Sequence, residues 1–129
     1  MIAKLAQYLV SIVALAVIVG GCKYAVVRES LRHADLNAWY TEINANKFQS
    51  RLPNANVSWG GLADGWLGST TGHSDGSFEI VLDPITVTTE REAREVLRHE
   101  ACHVATWAES EAHGVKWQAC VVRLNAGNN

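Results

Sequence analysis

Apolar and polar positions alternate along this chain with three different periods, and each period predicts a different kind of element. From Leu5 to Gly21 the sequence is almost wholly apolar, broken only by Gln7, Tyr8 and Ser11. From Ser30 to about Gln49 the pattern becomes helical. Leu36, Trp39, Tyr40 and Ile43 stand at i, i+3, i+4 and i+7 and form one apolar stripe, with Arg32, Asp35, Glu42 and Lys47 on solvated positions. Pro53 closes this segment. The period then shortens. Val57-Ser58-Trp59, Gly65 to Thr71 and Ser77 to Leu82 read as three short strands, and Gly72 to Gly76, with its Asp75-Gly76 pair, reads as a hairpin loop. Asp83-Pro84 ends the last strand.

Helical spacing returns at Thr89, where Thr89 and Glu92 fit a capping box. At 100° per residue, Ala93, Val96, Leu97, Val104 and Trp107 gather on one side. Arg91, Arg94, Glu95 and Arg98 gather on the other. Glu100 falls inside the apolar sector, where a carboxylate is costly unless something compensates it. Beyond a polar link, Trp117, Cys120, Val121 and Leu124 repeat with helical spacing and predict a final helix. The expected class is α+β: an N-terminal helix, a short three-stranded sheet of antiparallel type, a central helix and a C-terminal helix.

The central helix carries His99-Glu100-Ala101-Cys102-His103, an H-E-x-x-H, with nine residues between His103 and a further histidine, His113. On a helix the first two histidines stand one turn apart on one face. Zinc prefers four ligands, and a catalytic site supplies three from the protein and leaves the fourth to water, whose pKa then falls toward about 7. Glu100 is placed to take that proton and pass it to a leaving amine, the chemistry of peptide hydrolysis. The metal ligands expected are His99, His103 and His113, the last favoured over Glu109 and Glu111 because it falls at the start of the final helix. His73 reads as a solvated loop residue. Tyr40, His73 and nearby arginines are candidates for oxyanion stabilisation.

Composition narrows the setting. With 129 residues the chain has room for one small domain beyond the apolar N-terminus, and a hydrophobic fraction of 48% suffices for one core. A net charge of -2 gives no basic surface for nucleic acid, so a nucleic-acid partner is not expected. Three cysteines, without a C-x-x-C pair, encode neither a zinc ribbon nor a dense disulfide framework. Cys102 and Cys120 read as small buried residues, with a disulfide between them open in an oxidising compartment. Val19-Gly20-Gly21-Cys22 resembles the lipobox of bacterial lipoproteins. Residues 1–21 are therefore expected to be a signal peptide that leaves Cys22 lipidated, or an uncleaved membrane anchor. The expected location is the bacterial cell envelope, with a cytoplasmic protein whose N-terminal helix packs on the domain as the alternative.

The ordered set Leu36-Asn37-Ala38-Trp39-Tyr40, Leu52-Pro53, Val57-Ser58-Trp59, Leu67-Gly68-Ser69-Thr70, Ile80 to Pro84, His99 to His103 and His113-Gly114 resembles the SprT-like zinc metallopeptidases, the group that includes Spartan. The likeness covers about residues 31–125. It implies a zincin-like domain over residues 22–129, zinc on His99, His103 and His113, and Glu100 as catalytic base. It also implies a protein or peptide substrate that pairs with an edge strand, expected at Phe78–Leu82. Spartan-type members act on proteins crosslinked to DNA, but the charge balance and the export-like N-terminus mean that only the activity class is expected to carry over. The alternative from another class is a non-catalytic zinc-binding module that presents an interaction surface.

Overall fold

Asp35 starts the first helix of the domain by accepting the Ala38 N–H at 2.9 Å, so α1 runs Leu36–Phe48 and does not begin at Ser30. It ends when Gln49 and Ser50 turn left-handed, each with φ 57°, ahead of Pro53. The structure, a computed structural model, describes residues 30–126, and every element below belongs to the unit that begins at Ala34. The expected signal, anchor and Cys22 lie outside the described residues. Among the described residues no helix is long and apolar enough to cross a membrane.

The domain is α+β, as expected. After α1 come β1 (Ala55–Trp59), β2 (Gly68–Gly72) and β3 (Phe78–Leu82), then α2 (Glu90–Ala105) and α3 (Val115–Ala126). The sheet order is β1-β3-β2, with β2 antiparallel and β1 parallel to β3. Two expectations are thereby corrected. The sheet is mixed, and Phe78–Leu82 is its central strand and not an edge. The cause lies in the two connections. A tight hairpin, closed by the His73 N–H on Ser77 O at 2.9 Å, zips β2 onto β3. The longer link between β1 and β2 lets β1 lie on the far side of β3.

The two edges are not equivalent. Asn37 of α1 presents its side-chain amide to β1, donating to Val57 O at 3.1 Å and accepting the Val57 N–H at 2.8 Å. An amide that pairs both ways in this manner occupies the place of a neighbouring strand. Tyr40 donates to Pro53 O, and Asn44 pairs in both directions with the Leu52 backbone, so one face of α1 fastens residues 52–57. Beneath it the core is built from Leu36, Tyr40, Ile43, Val57, Ile80, Leu82, Leu97 and Ala101, all buried. Trp39, expected in that core stripe, is only half-buried and lies under the Arg94 guanidinium, 4.5 Å from the ring centroid.

Candidate metal centre

Helix α2 begins where the capping box predicts. Thr89 accepts the Glu92 N–H, and Glu92 Oε2 accepts the N–H groups of Thr88 and Thr89 at 2.9 and 3.1 Å. These bonds hold the Glu92 carboxyl below its usual pKa. From this fixed start the helix turns Ala93, Val96, Leu97, Ala101 and Val104 into the core, and Glu100 goes with them, only 4% exposed. Trp107, expected on the same buried side, lies beyond the helix end and is half-exposed, its ring edge-on to Phe78 and against Gly72.

His99, His103 and His113 converge. Nε2 of His103 lies 3.3 Å from Nε2 of His99 and 3.2 Å from Nε2 of His113, and the donor atoms of the three all fall within 4.8 Å of one another. A tetrahedral ion with bonds of ~2.0–2.1 Å to nitrogen holds neighbouring donors about 3.3 Å apart, so the spacing fits a metal ion. Burial and the neighbouring histidines push His103 down to about 4, and burial, with His113 beside it, lowers His99. Both are therefore neutral near pH 7, the state that ligates a cation.

The third histidine is held by features that the sequence pattern did not disclose. His113 precedes α3 by two residues and is not part of its first turn. Glu109, one of its competitors as a ligand, instead caps α3, accepting the N–H groups of Lys116 and Trp117 at 3.0 and 3.1 Å. A Cβ on Gly114 would lie 2.5 Å from the Glu109 carboxyl carbon, so this glycine lets the cap close. Gln118 donates to His113 O at 3.0 Å. Cys102 and Cys120 form a disulfide, Cα to Cα 5.8 Å, that ties α3 to the motif helix. Trp117 then sits against all three imidazoles, with ring centroids 4.7, 5.4 and 4.2 Å from those of His99, His103 and His113.

Glu100 faces β2. The Thr70 hydroxyl donates to its Oε2 at 2.6 Å, and a Cβ on Gly68 would meet its Oε1 and Val96 Cγ1, each at 2.7 Å. Burial raises the Glu100 carboxyl above its usual pKa, and the Thr70 bond opposes that rise. Oε2 is thus engaged by Thr70, while Oε1 lies against Gly68. In the sequence Gly68 and Thr70 stand out as strand residues and as part of the Leu67–Thr70 landmark, and neither signal discloses their contact with Glu100. Tyr40 and His73 stand elsewhere: the Tyr40 hydroxyl is spent on Pro53 O, and His73 borders a separate cavity beside Asn54 and Glu79.

A cleft of about 890 Å³ runs along β2 and α2, past His99, Glu100, His103 and His113. Residues 36–129 match the SprT-like family.

The chain belongs to the SprT-like family.

Over 74 residues it is 31% identical to "Germ cell nuclear acidic-1 protein" of Caenorhabditis elegans, a match covering 54% of this chain and 14% of that protein. The SprT-like match runs from α1 through α3 and includes all three histidines and Glu100.

Proposed function

We propose that this SprT-like domain is a zinc-dependent metallopeptidase that hydrolyses peptide bonds, with His99, His103 and His113 as metal ligands and Glu100 as the catalytic base. One observation carries the reading: a buried carboxylate, fixed at Oε2 by Thr70, on the same helix turn as two imidazoles whose spacing suits a tetrahedral ion. Zinc, when bound by three neutral imidazoles, supplies a Lewis acid that makes hydroxide available near neutral pH. Glu100 accepts the proton of the attacking water at a carboxylate oxygen and delivers it to the leaving amine nitrogen. The low-polarity surroundings that raise its pKa make Glu100 a stronger proton acceptor than an exposed carboxylate.

An extended substrate is supported by the open edge of β2. The Asp83 N–H donates to Leu67 O and the His73 N–H to Ser77 O. In phase with these bonds, Ser69 and Thr71 exchange hydrogen bonds with β3, while the backbone groups of Gly68, Thr70 and Gly72 face away from it. A peptide strand laid on these three residues passes Glu100. This edge replaces Phe78–Leu82 as the pairing strand.

Metal analysis of the purified protein and cleavage of an unfolded polypeptide test the reading together. Glu100→Gln is expected to keep one metal ion and lose hydrolysis, and His113→Ala to lose the metal. Full activity in Glu100→Gln removes Glu100 from the mechanism. The proposal places the enzyme on the membrane of the bacterial envelope through residues 1–22, and palmitate labelling that persists in Cys22→Ser would remove the lipoprotein assignment.

A further inference from the structure

Trp66 and Leu67 are consecutive large apolar residues at the entrance to β2, and they are 57% and 50% exposed. Their backbone is nonetheless firmly held. Trp66 O accepts the Thr86 hydroxyl at 3.0 Å, and Leu67 O accepts the Asp83 N–H at 3.0 Å. The buried Asp83 carboxylate in turn takes the N–H groups of Leu62 and Ile85 at 2.9 and 2.7 Å. The next residue, Gly68, meets α2 at Val96 and Glu100. Trp66 and Leu67 thus form an apolar wall on the cleft that Glu100 also lines, and the buried Val96 borders the same cleft one turn before Glu100.

Folding leaves Trp66 and Leu67 largely uncovered, and exposed apolar surface beside a cleft marks a binding site. The polar groups near it discriminate further. Glu92 is engaged by Thr88 and Thr89, whereas Glu95 is exposed at the cleft and has no partner among the described residues. An acidic side chain entering here meets that charge, and an apolar one completes the wall.

We infer that the cleft beside Glu100 is a side-chain subsite that selects a large apolar residue adjoining the scissile bond and rejects an acidic one, with Trp66, Leu67 and Val96 as its specificity-determining residues. The inference rests on the peptidase reading above. Its occupant is a peptide strand because the open backbone groups of Gly68, Thr70 and Gly72 continue directly from the same wall.

The test uses the full chain loaded with Co²⁺, titrated with the hydroxamates of phenylalanine, alanine and aspartate and followed by the visible absorption of the metal. Alongside, cleavage sites of the Zn²⁺-loaded protein in an unfolded polypeptide are mapped by mass spectrometry. The phenylalanine compound is expected to bind at least about tenfold more tightly than the alanine one, and the aspartate compound most weakly. Leu67→Ser and Trp66→Ser, both at exposed positions, bring the phenylalanine-to-alanine ratio toward one. Mapped cuts share a large apolar residue on one side. A ratio near one in the native chain, or one untouched by both variants, overturns the subsite. Cleavage without side-chain preference also overturns it and leaves the peptidase reading standing. Selective hydroxamate binding without cleavage of any polypeptide supports the subsite and sinks the peptidase reading. A mass that doubles with concentration and reverts in Leu67→Ser assigns the wall to a second copy and overturns the inference.

Discussion

The Thr70 hydroxyl lies 2.6 Å from Oε2 of Glu100, a bond from the middle of an edge strand to a carboxylate on the motif helix, 30 residues away in sequence. It holds Oε2 of Glu100 in place, and it satisfies a charge that would otherwise be buried unpaired. Thr70→Val removes the donor at constant shape. Hydrolysis is expected to fall about tenfold to a hundredfold, in line with the roughly 1.5–3 kcal/mol of a hydrogen bond to a charged group. Metal content stays at one ion, and Thr70→Ser restores most of the rate. Steady-state kinetics with parallel metal analysis check this, and a full rate in Thr70→Val would show that the bond has no catalytic weight.

Gly114→Ala is expected to weaken metal binding while leaving the fold in place. The new Cβ would collide with the Glu109 carboxyl and open the cap that sets the start of α3, and His113 is the preceding residue. Supporting contacts of this kind change metal affinity by about tenfold to a hundredfold. Glu109→Gln keeps one acceptor oxygen and should lose less. Competition for the ion against a chromogenic chelator measures both.

Cys102 and Cys120 close a loop with a sequence separation of 18, and His103, His113 and Trp117 all lie within it. Removing such a crosslink costs about 2–4 kcal/mol, through the greater freedom of the unfolded chain. The double variant Cys102→Ala, Cys120→Ala is expected to unfold at correspondingly lower urea concentration, and reductant should shift the native protein but not the variant. Equal midpoints for native chain and variant would mean that the crosslink adds no stability.

Asp83 gives the fold a defined sensitivity to acid. Backbone N–H groups of Leu62, Ile85 and Thr86 bond its carboxylate and hold its pKa below the ordinary value. The unfolded chain therefore binds this proton at higher pH than the folded one. The contribution is complete above about pH 4, the unfolded value, and is lost as pH falls through the lower folded value. Asp83→Asn is expected to be less stable at pH 7 and to show a flatter decline below about pH 4. Urea midpoints between pH 2 and pH 7 test the difference in slope.

Local chemistry is what the chain spells out most clearly. The Thr89–Glu92 box, the helical return of His99 and His103, and Glu100 in the apolar sector each depend on residues within one or two helical turns, where backbone geometry fixes direction. The pattern predicts one helical segment from Ser30, whereas the folded chain is helical at residues 30–32, leaves the helix at 33–35, and starts α1 afresh at the Asp35 cap bond to Ala38. Trp107 falls on the buried side only if helical spacing runs past Ala105, where the helix ends.

Amino-acid order by itself determined the α+β class, the motif helix, and the residue types able to hold a metal ion and move a proton. Tertiary structure decided how they meet. Strand order depends on how two connections of different length route the chain, so only the folded sheet shows that β2 is the open edge and β3 the centre. The Thr70 bond, the Glu109 cap on α3 and the Cys102–Cys120 crosslink join residues from different parts of the fold. A period of 2 or 3.6 records which face a side chain takes, and carries no information about which element will be packed against that face.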